Sequence, residues 1–67
     1  MKRYYVEYNG DGTPFLGFYT ESGHIFCRFI HRVDTWEEDG INQQYIRENT
    51  VRITAKAMKQ LLFLGNL

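Results

Sequence analysis

A single cysteine, Cys27, excludes an internal disulfide in this 67-residue chain, so the usual covalent staple of small domains is missing. One cysteine also fits a reducing compartment. No apolar run approaches the roughly 18 residues of a membrane-spanning helix, and no membrane is expected among the partners. Met1-Lys2-Arg3 leads into an alternating pattern rather than an apolar run. No secretory leader is therefore expected, and the expected location is the cytoplasm. Net charge is missing as well: eight basic side chains balance eight acidic ones. That balance excludes the strong basic excess of a dedicated nucleic-acid binder. A chain of this length is one domain, residues 1–67, and buries only about 60% of its unfolded surface.

What the chain has is aromatics, at 16% of its residues. The stretch from Phe15 to Val33 reads as a β-hairpin, because both arms are aromatic and β-branched and Ser22-Gly23 lies between them. With Ser22 and Gly23 as the two turn residues, Thr20 opposes Ile25, Phe18 opposes Cys27 and Leu16 opposes Phe29. This register collects Leu16, Phe18, Ile25, Cys27 and Phe29 on one face. A three-residue turn would mix charge into both faces, and burying one consistent face is the larger energy. The second face then holds Phe15, Gly17, Tyr19, Phe26, Arg28 and Ile30, which is unusually apolar for a surface meeting water.

Arg3 to Tyr8 alternates and reads as a half-buried strand, with Tyr4, Val6 and Tyr8 on one side. Asn9 to Pro14 is a loop by its glycines and proline. Its two glycines precede a strand, not a helix N-terminus, which excludes a phosphate-binding loop. Asp34 to Gly40 fits one helical turn, with Thr35 and Glu38 as a capping box, and fits an acidic loop equally well. Tyr45-Ile46 can begin a strand, although Asn42-Gln43-Gln44 carries no usable preference. Thr50 to Ile53 alternates as a short strand. Thr54 is a good N-cap for a helix over Ala55 to Leu64, with Gly65 as its C-cap. At about 100° per residue, Ala57, Met58, Leu61, Leu62 and Leu64 span an arc of about 160°, and Phe63 falls outside it.

The fold expected is α+β: a small antiparallel β-meander of three to four strands, packed on one face by the C-terminal helix. Its core would comprise Tyr4, Val6, Leu16, Phe18, Ile25, Cys27, Phe29, Val51, Ile53, Met58, Leu61 and Leu62.

Candidate chemistry is sparse. His24, Cys27 and His31 suggest a metal, but Cys27 and His31 lie roughly 13 Å apart along a strand of about 3.3 Å per residue. Zinc ligands must converge to about 2.0–2.3 Å from one ion, so no metal and no cofactor is expected. Cys27 falls in the middle of an apolar face, unsuited to a nucleophile, which needs an electropositive, partly open setting. No enzyme is expected.

The remaining signal is the apolar second face. Tyr5, Tyr19, Phe26, Arg28 and Ile30 are the expected partner-binding residues there. Trp36, among the acids Asp34, Glu37, Glu38 and Asp39, is a further anchor candidate, and Phe63 a weaker one. The expected function is a non-catalytic protein-interaction module, binding a protein or a second copy of itself. Small domains of this kind are common among phage and mobile-element inhibitors and accessory proteins. The alternative is a single-stranded nucleic-acid-binding module that stacks bases on Tyr19 and Phe26 beside Arg28.

Overall fold

The structure is a computed structural model describing residues 1–32 and 35–65. The chain is α+β, with the C-terminal helix packed on an antiparallel sheet as its patterning predicts. Strands β1 (Arg3–Tyr8), β2 (Pro14–Glu21), β3 (His24–Phe29), β4 (Glu37–Asp39) and β5 (Val51–Ile53) form one sheet in the order β4-β3-β2-β1-β5. Helix α1 (Gln43–Asn49) lies between β4 and β5, and α2 (Ala55–Gly65) follows β5.

The hairpin has the expected register: Leu16 pairs with Phe29, Phe18 with Cys27 and Thr20 with Ile25. Its two turn residues, Ser22 and Gly23, have φ of 53° and 82°. Both signs are positive, as the tight hairpin turn matching strand twist requires. The second arm is shorter than its sequence pattern. β3 ends at Phe29, and the Ile30 N–H donates to the Phe15 carbonyl at 3.0 Å.

Directly paired residues share a face of the sheet, so the registers assign both faces. Tyr4, Tyr19 and Phe26 lie across one face, with Val6, Gly17 and Arg28 in the next row. Tyr5, Phe18 and Cys27 lie across the other, with Leu16 and Phe29. Each face has its own helix. α1 covers the Phe18 face: Ile46 forms a buried cluster with Phe18 and Ile25, against which Tyr5, Leu16, Cys27, Ile41 and Tyr45 pack. α2 covers the Val6 face, where Met58 and Ile30 both approach Gly17. The patterning had paired α2 with the Phe18 face. It goes to the opposite face because α1, absent from the sequence reading, already fills the first.

Local capping explains both helices. The Asn42 side chain accepts the Tyr45 N–H at 2.9 Å and starts α1. Thr50 ends it, its hydroxyl donating to the Ile46 carbonyl at 2.6 Å. The Thr54 hydroxyl oxygen accepts the Ala57 N–H at 3.0 Å and starts α2. Capping of this kind contributes about 1 kcal/mol per helix.

Several expectations are corrected here. Tyr45-Ile46 is helical rather than extended, and places Ile46 in the core. Glu37 to Asp39 is an edge strand on β3 rather than a helical turn; Asp34 itself lies outside the described residues. Val51 is 55% exposed and outside the core, because β5 is the sheet edge beside β1. Cys27 is half-buried rather than enclosed, since its cross-strand neighbour on the outer side is the exposed Glu37. His31 lies beyond β3 and is exposed. Among the described residues, no three His, Cys, Asp or Glu side chains group to hold a metal ion.

Candidate functional site

The Tyr4 row of the sheet carries an aromatic cluster. Sheet pairing sets Tyr4 beside Tyr19 and Tyr19 beside Phe26. Tyr19 and Phe26 stack at 4.6 Å with only 12° between planes. Tyr4 tilts against Tyr19 at 5.8 Å. Trp36, just before β4, closes the group from the side, edge-on to Tyr19 at 4.9 Å and to Tyr4 at 6.4 Å. All four rings are half-buried. Ring pairs at these separations contribute roughly 0.5–1.5 kcal/mol each beyond their area.

Two cations bracket the cluster. Lys2 Nζ sits 4.6 Å over the Tyr19 ring, and the Arg28 guanidinium lies 5.9 Å from the Trp36 ring centre. Arg28 is fixed further by donating to the Arg32 carbonyl at 2.9 Å. At partly solvated sites such contacts are worth about 0.5–1 kcal/mol. The result is a preorganised surface. Its anchors are already ordered, so a partner would immobilise few side chains on docking. The rings pack on one another too closely to admit a small ligand between them. Tyr19 has Phe26 stacked on it and Lys2 over it, so a nucleic-acid base could stack there only by displacing one of them.

Of the residues singled out in the sequence, Tyr19, Phe26, Arg28 and Trp36 come together here. Tyr5 does not, because it pairs with Phe18 and packs in the core under α1. Ile30 does not either: it is fully buried, with its Cδ1 at the Gly17–Met58 contact. Phe63 is 67% exposed and sits apart on the outer side of α2 with Leu64, Lys56, Lys59 and Gln60. Tyr4 and Lys2 belong to the cluster and were missed. The β1–β2 register, which pairs Tyr4 with Tyr19, is the signal that finds Tyr4.

A second aromatic contact lies at the far end of β2 and β3. Phe15 meets Phe29 edge-on at 5.4 Å, and Arg32 lies 4.9 Å over Phe29. Phe15 is the extra residue of a bulge, because Tyr8 pairs with Pro14 and Glu7 with Leu16.

The polar side-chain contacts join neighbouring elements. The Tyr45 hydroxyl donates to Glu7 Oε1 at 2.7 Å and ties α1 to β1; this bond to a carboxylate raises the phenol above its ordinary range. His24 Nδ1 meets a Glu38 carboxylate oxygen and ties β3 to β4. Asp11 accepts the Thr13 N–H at 2.9 Å, which closes the β1–β2 loop and lowers the carboxyl below its ordinary value.

No protein-family model matches the chain, and neither a curated protein nor a solved structure shows significant similarity to it.

Proposed function

We propose that the chain is a non-catalytic protein-binding module whose contact surface is the cluster of Tyr4, Tyr19, Phe26 and Trp36, with Lys2 and Arg28 at its rim. The observation that carries this reading is the side-by-side packing of four half-buried rings and two cations on one sheet face. Tyrosine, tryptophan and arginine are the residues enriched in interface hot spots, where rigid, partly buried side chains contribute most of the affinity. The titratable pairs Tyr45–Glu7 and His24–Glu38 each span two structural elements, which supports a structural role for both. A protein partner fits better than a nucleic acid. The faces of Tyr19 are occupied, and the chain has zero formal net charge.

Trp36 is the sole tryptophan, so its emission reports on this surface directly. The test is affinity capture from lysate of the native cell with wild type and Trp36→Ala side by side, quantified by mass spectrometry. The purified hit is then titrated against wild-type fluorescence. The expected result is a protein enriched by wild type, lost with Trp36→Ala, and shifting Trp36 emission on binding. Equal capture by the variant overturns the proposal. So does Trp36 quenching by single-stranded RNA or DNA with steep salt dependence, which would assign the surface to nucleic acid.

A further inference from the structure

The charges of this neutral chain are segregated. Residues 34–48 hold five acidic side chains against Arg47, whereas residues 49–67 hold Arg52, Lys56 and Lys59 and no acid. The fold keeps these groups apart. The acids Glu37, Glu38 and Asp39 form the exposed edge strand β4 at one end of the sheet order. α2 packs against β1, three strands away, at about 4.8 Å per strand or roughly 14 Å in all. Exposed charges at that separation exceed a Debye length of about 8 Å at physiological salt and do not compensate each other. Among the described residues, neither Lys56, Lys59 nor Glu37 forms an ion pair.

The outer side of α2 is apolar as well as basic. Phe63 and Leu64 are 67% and 64% exposed, and with Lys56, Lys59 and Gln60 they line one shallow depression. The lysines occupy the N-terminal half of the helix, where the helix dipole disfavours cations, and its first turn holds no acid. This arrangement does not serve the isolated helix.

We propose that this stripe of α2 receives the acidic β4 edge of a second copy, in head-to-tail self-association. The two surfaces match in charge and scale. Lys56 and Lys59 lie about 4.5 Å apart along the helix, and Glu37 and Asp39 lie about 7 Å apart along the strand. The carboxylates meet the lysines, and Phe63 and Leu64 are covered beside them. The α2 stripe lies apart from the Trp36 cluster, so Lys56→Glu/Lys59→Glu tests this inference independently of the reading above, whereas the β4 edge adjoins that cluster, Glu38 pairing with Phe26. Because the contact joins two different patches, each bound copy still presents one of each.

Sedimentation of the full chain at about 0.01 M and about 0.15 M salt tests this, since the Debye length falls from about 30 Å to about 8 Å. At low salt the mass should rise with concentration above the 8.0 kDa of one chain, and at higher salt it should fall back. The variant Lys56→Glu/Lys59→Glu should be monomeric, and so should Glu37→Lys/Glu38→Lys. Glu37→Lys alone, which keeps the His24–Glu38 contact, should weaken association. Mixing the two double variants in low salt should restore association, because each variant offers the other a surface of opposite charge at both the β4 edge and the α2 stripe. A monomer at every concentration at low salt overturns the proposal. So does a dimer that either folded double variant still forms by itself, or a mixture that stays monomeric; circular dichroism confirms folding of each variant.

Discussion

Replacing Gly17 by valine tests whether α2 presses directly on the sheet. Gly17 lies mid-strand in β2, where valine is ordinarily favoured over glycine by up to about 1 kcal/mol. The space above it is taken. A Cβ there would lie 3.1 Å from Ile30 Cδ1, 3.2 Å from Met58 Cε and 3.3 Å from Met58 Sδ, whereas ordinary contact begins at 3.4 Å. Alanine needs its neighbours to yield by a few tenths of an ångström, and all three atoms lie at or next to the ends of flexible side chains. Its strain therefore nearly offsets the roughly 0.5–1 kcal/mol gained by removing glycine's backbone freedom. Gly17→Ala should fall within about 1 kcal/mol of wild type. Valine adds two methyl groups to the same contact and should cost about 1–3 kcal/mol by overpacking. With a urea slope of about 1 kcal/mol per molar, the midpoint should drop by roughly 1–3 M. Trp36 emission follows the transition, and amide exchange in α2 identifies the loosened element. Met58→Ala alone should cost about 2–5 kcal/mol, while Gly17→Val/Met58→Ala should recover part of both losses by sharing the space. A Gly17→Val chain as stable as wild type, with strictly additive effects in the double variant, would refute the proposed α2–sheet contact.

Three further outcomes are expected. Thr54→Ala removes the side-chain acceptor for the Ala57 N–H and should destabilise the chain by about 0.5–2 kcal/mol, with faster amide exchange in the first turn of α2. Tyr45→Phe should cost roughly 1 kcal/mol in urea unfolding by removing the bond to Glu7; because this bond raises the phenol in the folded state, its stabilisation is complete below the unfolded value near 10 and is lost as pH rises through the folded value. For Asp11 the sign is opposite: its folded carboxyl is lowered by Thr13, so its contribution is present above the ordinary carboxyl value of 3.8 and is lost as pH falls through the folded value, and a carboxyl NMR titration should place its midpoint below 3.8.

The parts of the fold legible in the sequence were those decided locally. Ser22-Gly23 fixed the turn, and the alternation around it fixed the register of two strands. Thr54 and the spacing of Met58 with its neighbours marked α2. The misread parts depended on distant partners. β4 is a run of three acids with no strand propensity, extended because β3 offers an open edge. α1 is seven residues long with one fully buried side chain, Ile46, too short for a helical period to stand out. Asn42 as cap, followed by Tyr45 and Ile46 four and five residues after Ile41, was the available signal. The facing of β1 was ambiguous because Tyr4 and Tyr5 are the same residue type on opposite sides. That ambiguity moved Tyr5 into the predicted site and left Tyr4 out of it. The face excess was legible and its cover was not: α2 and Trp36 divide it between them.

The pairing of β5 with β1 also sets an order of assembly. β1, β2 and β3 are joined by short connections, so their pairing closes small loops and costs little chain entropy. β5 must return from the far side of the sequence, setting Ile53 beside Tyr4. Contacts of such sequence separation form slowly, because the loop must close before any pairing stabilises it. Until then α2 has no fixed place over Val6, Gly17 and Ile30, and the three-stranded meander stands with that face bare. Docking of residues 51–65 as a unit is therefore the expected slow step of folding, and stopped-flow measurements on Met58→Ala should show its effect in the unfolding rate far more than in the first collapse of the hairpins.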